Sequence, residues 1–182
     1  MGKTADEVRV AVDGLVAIGA TTLTAPTSAS SNLPTGWTDL GFISEDGVTE
    51  SLTQDTQKLK AWQNGQTVRT IVTDGEAMFK FVLLQTSKDT IAMYYGGTVG
   101  DDGSIVSNPT AERPRHAFVL DVIDGDSRIR KYIPQGQVTE VGDLVYKGTE
   151  AVGYEVTITA HHSDAISGSV KHMYADLATP AP

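Results

Sequence analysis

Four histidines and 23 carboxylates are the residues of this 182-residue chain with the widest chemical range. A metal site needs its ligands at a spacing that lets them converge. His161 and His162 are adjacent on or just past an expected strand, so they face opposite sides and cannot chelate one ion. No spacing ties His116 or His172 to either of them. A glycosidase needs two carboxylates across a sugar-binding cleft. Trp37 and Trp62 could wall such a cleft, but packing or an interface is the plainer use of both. Serine is common, yet no G-x-S-x-G elbow occurs. Gly2-Lys3-Thr4 copies the end of a phosphate-binding loop without the strand and glycine that should precede it. With no cysteine, disulfides and thiolate ligands are excluded. The missing motifs argue against an enzyme, and no catalytic, cofactor-binding or metal-binding residue is assigned.

Charge gives the next constraint. Fourteen basic residues against 23 acidic ones leave a net charge of −9. No Lys/Arg cluster stands out along the chain, so gripping nucleic acid is disfavoured. The acidity has two uses. One is a solvated surface. The other is a wall that repels polyanions, since a duplex carries one negative charge per ~1.7 Å. No membrane segment is expected. The stretch from Val8 to Ala20 follows Asp6 and Glu7 and is broken by Arg9 and Asp13, which no signal sequence tolerates. Asp6 also spoils a myristoylation pattern.

The elements that would hold these side chains are mostly strands. Residues 66–97 organise the chain. Val68–Val72 is β-branched and reads as a strand. Thr73-Asp74-Gly75 reads as a tight turn, and Ala77–Leu84 as a central strand covered on both faces. Thr86 or Ser87 then caps a helix, with Asp89 completing a capping box from Thr86. Ile91, Tyr94 and Tyr95 share its apolar side, and Gly96-Gly97 ends it.

Elsewhere, Val8–Ile18 reads as a first strand bent at Asp13-Gly14, and Trp37–Ser44 as a second. Val48–Lys60 reads as exposed hairpin strands bending near Thr53-Gln54-Asp55, and Asn64-Gly65 is a strong turn signal. His116–Ile123 and Arg128–Pro134 form a hairpin across Asp124-Gly125. Val138–Tyr146 is weaker. Val152–His161 is the cleanest alternation, and Ser167–Tyr174 closes the sheet. Asp-Gly pairs start at positions 13, 46, 74, 102 and 124. The expected fold is therefore mainly β: an antiparallel sandwich or barrel with one short flanking α-helix. Residues 1–182 form one domain, with arms at 20–36 and 47–65 and a flexible tail at 176–182.

The segments GWTDLGFISEDGV (36–48), KAWQ (60–63), VRTI (68–71) and FVLLQTSKDTIAMYYGG (81–97) resemble the major tail protein, or tail tube protein, of long non-contractile-tailed bacteriophages. The likeness is nearest to phages of actinobacteria and runs nearly the whole chain. It rests on the number and order of structural signatures. The resemblance is to members without the C-terminal immunoglobulin-like domain that others carry, so it implies no surface-decoration role.

The resemblance implies two packed antiparallel sheets with a flanking helix. It implies hexameric rings stacked into a tube, through which double-stranded DNA passes into the host without specific binding. Implied partners are copies of the chain, a tape-measure protein and tail-tip or terminator proteins. The implied location is the virion tail, assembled in the host cytoplasm, with no membrane. A modest apolar content of 40% suits a subunit that completes its burial by assembly. Trp37, Phe42, Leu52, Leu59 and Trp62 are the candidate subunit contacts. Glu45, Asp46 and Glu50 are the first candidates to face the lumen, ahead of Asp121 and Glu155. The alternative is a soluble β-sandwich binding module for carbohydrate or protein, with an aromatic platform from Trp37, Trp62 or Tyr94.

Overall fold

A computed structural model describes residues 8–177. The elements run β1 (Asp13–Gly19), β2 (Thr38–Asp39), β3 (Ile43–Lys60), β4 (Thr67–Leu83), α1 (Lys88–Tyr95), β5 (Arg115–Asp124), β6 (Ser127–Val141), β7 (Tyr154–Ala160) and β8 (Lys171–Tyr174). All pairings are antiparallel, in the order β2-β1-β5-β6-β7-β4-β3, with β8 beside β6. The chain is thus mainly β with one short helix, and the sheet does not close into a barrel.

Strand β6 explains the overall form. Its first half lies between β5 and β8, and its second half pairs with β7. Pro134 and Gln135 fall opposite Ala117 in a register shift between these halves. A bulge is one of the few places where a strand accepts proline, which lacks the ladder's N–H. The weak Val138–Tyr146 strand of the sequence reading is therefore the far end of β6, which stops at Val141.

The sheet folds back on itself around one core. Val16, Ile18, Phe118 and Leu120 from β1 and β5 meet Phe79, Phe81, Val156 and Ile158 from β4 and β7. Alternate residues of β1 and β5 supply a second cluster. Ala17, Ala117 and Val119 join Tyr132 and Met173, covered by Ala25, Ala29, Leu33 and Trp37. Strand β5 is buried on both faces, which is why its run reads almost continuously apolar. Strand β7 keeps the expected alternation from Tyr154 to Ile158, beyond which Thr159 is buried as well as Ala160.

Several expectations need correction. Val8, Val10 and Val12 are exposed and precede the first strand. Only from Leu15 onward do side chains find cover, and Asp13-Gly14 lies in regular ladder with Ile123 and Val122. Thr73-Asp74-Gly75 is no turn: β4 runs straight through it. There Thr73 is absorbed as an extra residue between the pairs Asp55–Asp74 and Thr56–Val72. The same bulge replaces the bend expected near Thr53-Gln54-Asp55. The second face of β4 is open, with Met78 and Val82 half-buried and Lys80 exposed. Asp46-Gly47 is likewise absorbed in a register shift between Ile43 and Val48.

The helix forms where its signals place it, but its cap is Ser87 with Thr90 and not a box from Thr86 to Asp89, and Ile91 and Tyr95 are only half-buried. Ser87 is the N-cap, its Oγ accepting from Thr90 N at 3.1 Å. Gly96, at φ +72°, takes the left-handed position that closes it. Thr90, Met93 and Tyr94 are the residues it buries, and Tyr94 Oη donates to Gly142 O at 2.6 Å, tying α1 to the end of β6.

Candidate assembly surface

The most unusual feature is the β3–β4 hairpin. It reverses at Asn64-Gly65, both at positive φ (57° and 62°), which suits the tight turns that join strands. From Ala77 to Leu83, β4 also pairs with β7. Beyond that point the hairpin has no third strand, so the outer edges of β3 and of β4 before Ala77 are open among the described residues. A two-stranded ribbon is marginal in water, and open edges invite another chain.

The ribbon's side chains sharpen the point. Leu52 is 67% exposed, Leu59 44%, Val68 70%, Val72 54% and Trp62 98%. No monomer is stabilised by a tryptophan held almost wholly in water. Lys58, Lys60 and Arg69 lie within the same ribbon, and no carboxylate occurs between Thr56 and Val72. The rest of the chain sets eleven cations against all 23 carboxylates. The hairpin tip is thus a cationic, apolar projection from a strongly anionic body. Reading along the sequence finds no Lys/Arg cluster because the three cations sit on two strands, and the pairing Leu59–Arg69 is what gathers them.

At the root of the hairpin lies a cleft of about 670 Å³. Val12, Leu15, Phe42 and Val48 give it apolar walls, and Asp13, Asp39 and Glu45 give it negative charge. Phe42 is 73% exposed. Asp39 Oδ1 accepts from Gly41 N at 2.8 Å, which fixes the chain reversal beside Phe42.

A third feature joins the ribbon to the body. Glu50 on β3 accepts from Lys131 Nζ on β6 at 3.0 Å and lies 3.7 Å from His172 Nδ1 on β8. Lys131 Nζ also donates to His172 Nδ1 at 2.8 Å when the imidazole is neutral. Burial first, then the Lys131 charge, pushes the His172 pKa below its ordinary value, and Glu50 opposes the shift. Burial alone depresses His116.

The remaining large surface is the open face of the four-stranded half, built by β3, β4, β7 and the end of β6. Thr49, Ser51, Thr157 and Gln137 lie on it beside Met78 and Lys80, by the pairings Thr49–Lys80, Lys80–Thr157, Met78–Thr159 and Gln137–Thr159, with Thr159 itself buried beneath its neighbours. Lys80 is neutralised by Glu155 at 3.0 Å. Thr139 and Thr159 share a hydroxyl hydrogen bond of 2.9 Å.

The residues singled out from sequence scatter over these features. Phe42 lines the cleft; Leu52, Leu59 and Trp62 belong to the ribbon. Trp37 does not join them. It packs edge-on against Tyr132 at 6.1 Å inside its own subunit, with Nε1 donating to Thr24 O at 3.4 Å. The 20–36 segment likewise folds over its own sheet. Asp121 is no surface acid, being 4% exposed against Arg130. Trp37, Trp62 and Tyr94 form no shared platform: one is half-buried, one is at the ribbon tip and Tyr94 is 7% exposed. Of the three, Trp62 alone is left as an exposed aromatic surface for the binding-module reading.

A family model described as phage tail tube protein matches residues 1–182. No curated protein matches in sequence. Among solved structures, a chain in the PVC sheath–tube complex of an extracellular contractile injection system, in the extended state, is similar in fold. Its TM-score is 0.50 at 10% identity, over 94% of this chain and 99% of that one. A chain in the virion of a native gene transfer agent particle gives 0.46 at 11% identity, over 92% and 99%. One in the tail of an empty gene transfer agent particle gives 0.47 at 12%, over 86% and 96%. At such identities the likeness concerns the fold alone.

Proposed function

The chain belongs to the phage tail tube protein family, and on that premise we propose that its copies join into hexameric rings that stack as the tube of a long, non-contractile tail. It is a structural subunit of the virion tail, and this reading gives it no catalytic step. The observation that carries the proposal is the β3–β4 ribbon, which leaves unpaired edges and exposes Leu59 and Trp62 where a self-contained module would cover them. A heterologous contact through such an edge makes rings when the rotation closes. The number six comes from the family resemblance carried by the segments between Gly36 and Gly97, as do the affinity with phages of actinobacteria and assembly in the host cytoplasm.

Double-stranded DNA passes along the lumen of this tube. We assign the lumen to the open face bearing Thr49, Ser51 and Thr157. Short hydroxyl side chains and a neutralised Lys80–Glu155 pair give a polyanion nothing to hold. This revises the acids first expected there. Glu50 points to the opposite face of β3, and Glu45 and Asp46 lie in the bulge that begins the strand. Tape-measure and tail-tip or terminator proteins are the partners at the tube's interior and ends. Among the described residues no helix is long and apolar enough to cross a membrane.

Negative-stain electron microscopy of the purified chain across a concentration series tests the proposal. Rings with a central hole, or tubes, are expected as concentration rises. Monodisperse monomer at every concentration, with tape-measure and tail-tip proteins also present, would contradict it.

A further inference from the structure

We infer that the cationic tip of the β3–β4 ribbon docks in the carboxylate-lined cleft at the ribbon's root on a second copy of the chain. The inference rests on the tube reading above and names the surface that receives the arm.

Tip and cleft lie at opposite ends of one strand. At about 3.3 Å per residue, Lys60 stands roughly 40 Å beyond Val48 along β3. The ribbon is a continuous ladder over this length, with bulges but no turn, so the tip cannot return to its own cleft. A copy must supply the cleft, and where the contact is not returned by the same copy it repeats in one direction, head-to-tail, as a ring or tube requires.

The two surfaces match in charge and in chemistry. The tip offers Lys58, Lys60 and Arg69 with Leu59 and Trp62, and no carboxylate between Thr56 and Val72. The cleft offers Asp13, Asp39 and Glu45 beside the exposed ring of Phe42, and among the described residues no lysine, arginine or histidine lines it. At about 670 Å³ it has room for an indole with aliphatic neighbours. Aromatic anchors in a pocket, ringed by complementary charge, give contacts both strength and direction.

The test is a charge exchange. One variant reverses the tip (Lys58→Glu, Lys60→Glu, Arg69→Glu). A second reverses the cleft (Asp13→Lys, Glu45→Lys). A third carries both sets. Circular dichroism and thermal melting establish that each monomer folds, and sedimentation measures the concentration at which it assembles. Each single set should raise that concentration by about tenfold or more, and the combination should recover most of the loss. A cleft variant that assembles like the parent chain, or a combined variant no better than the single sets, overturns the docking. So does a tip variant that assembles normally but loses retention of duplex DNA on a filter, since the tip would then be a DNA contact. If the parent chain itself never assembles, the tube reading falls first. If the parent assembles and the cleft variant is unaffected, only the docking falls.

Discussion

The Arg130 guanidinium makes two parallel hydrogen bonds to the Asp121 carboxylate, each 2.7 Å, with both side chains almost wholly buried. Its Nη1 also donates to Ser28 O at 3.0 Å and Ser31 O at 2.7 Å. The pair therefore sits between the second cluster of the sheet and the 20–36 loop, and it holds that loop on its own subunit.

Breaking this pair leaves a buried charge without its partner, which typically costs about 3–5 kcal/mol. Asp121→Asn and Arg130→Met should each lower stability by that order in a denaturant titration. Replacing both together by apolar residues should cost much less than the sum. Additive losses would mean that the two charges act independently.

Gly136 has no room for a side chain. A Cβ there would lie 2.5 Å from Phe118 Cδ2 and 3.0 Å from Ile158 Cγ2. Phe118 and Ile158 are both fully buried, so neither ring nor methyl can move into solvent. Gly136→Ala should lower stability by about 1–3 kcal/mol. Gly65, with open space around it but φ +62°, should tolerate Asn far better than Val. Equal effects of Asn and Val at position 65 would refute the backbone argument.

Acid should destabilise the monomer through its histidines. His116 and His172 both have pKa values depressed in the fold. As pH falls through the ordinary imidazole value near 6.5, the unfolded chain takes up protons that the fold still refuses. Their contribution is full above that pH and is lost below it, down to the depressed values. Around His172 the facing groups are Lys131, Glu50 and Tyr174, and Lys131 adds to the effect of burial. His172→Gln should flatten the melting temperature between roughly pH 7 and 5.5. An unchanged slope would place the proton uptake elsewhere.

Trimming the ribbon should separate folding from assembly. Replacing residues 56–72 with Asn-Gly keeps the root, where β4 also pairs with β7. The core clusters contain no residue from the removed segment. The trimmed chain should melt close to the parent but sediment only as monomer. Normal tubes from the trimmed chain would show that the ribbon is no assembly arm.

Much of this is legible in the sequence. Alternation in Tyr154–Ala160 gave a strand with one buried face, and Ser87 with Gly96 bounded the helix. The Asp-Gly pairs do not all mark turns. Asp102-Gly103 and Asp124-Gly125 sit in loops with glycine at positive φ, whereas Asp13-Gly14 and Asp74-Gly75 run inside strands. The dipeptide permits a turn, but the long ladder between β3 and β4 overrides it. Long-range gathering was also invisible. Nothing in spacing says that Arg130 meets Asp121, that Lys131 joins Glu50, or that Lys58 and Arg69 share one ribbon. Those relations follow from sheet register, and register is set by the whole fold.

Amide hydrogen exchange along β3 and β4, before and after assembly, puts the account to its most direct trial. In the monomer, the outward amides from Val48 to Lys60 and from Thr67 to Glu76 face solvent and should exchange fast. In the assembled state these same amides should become protected, while α1 and β5 change little. Assemblies in which the ribbon edges still exchange at the monomer's rate would contradict the claim that copies of the chain complete its open sheet.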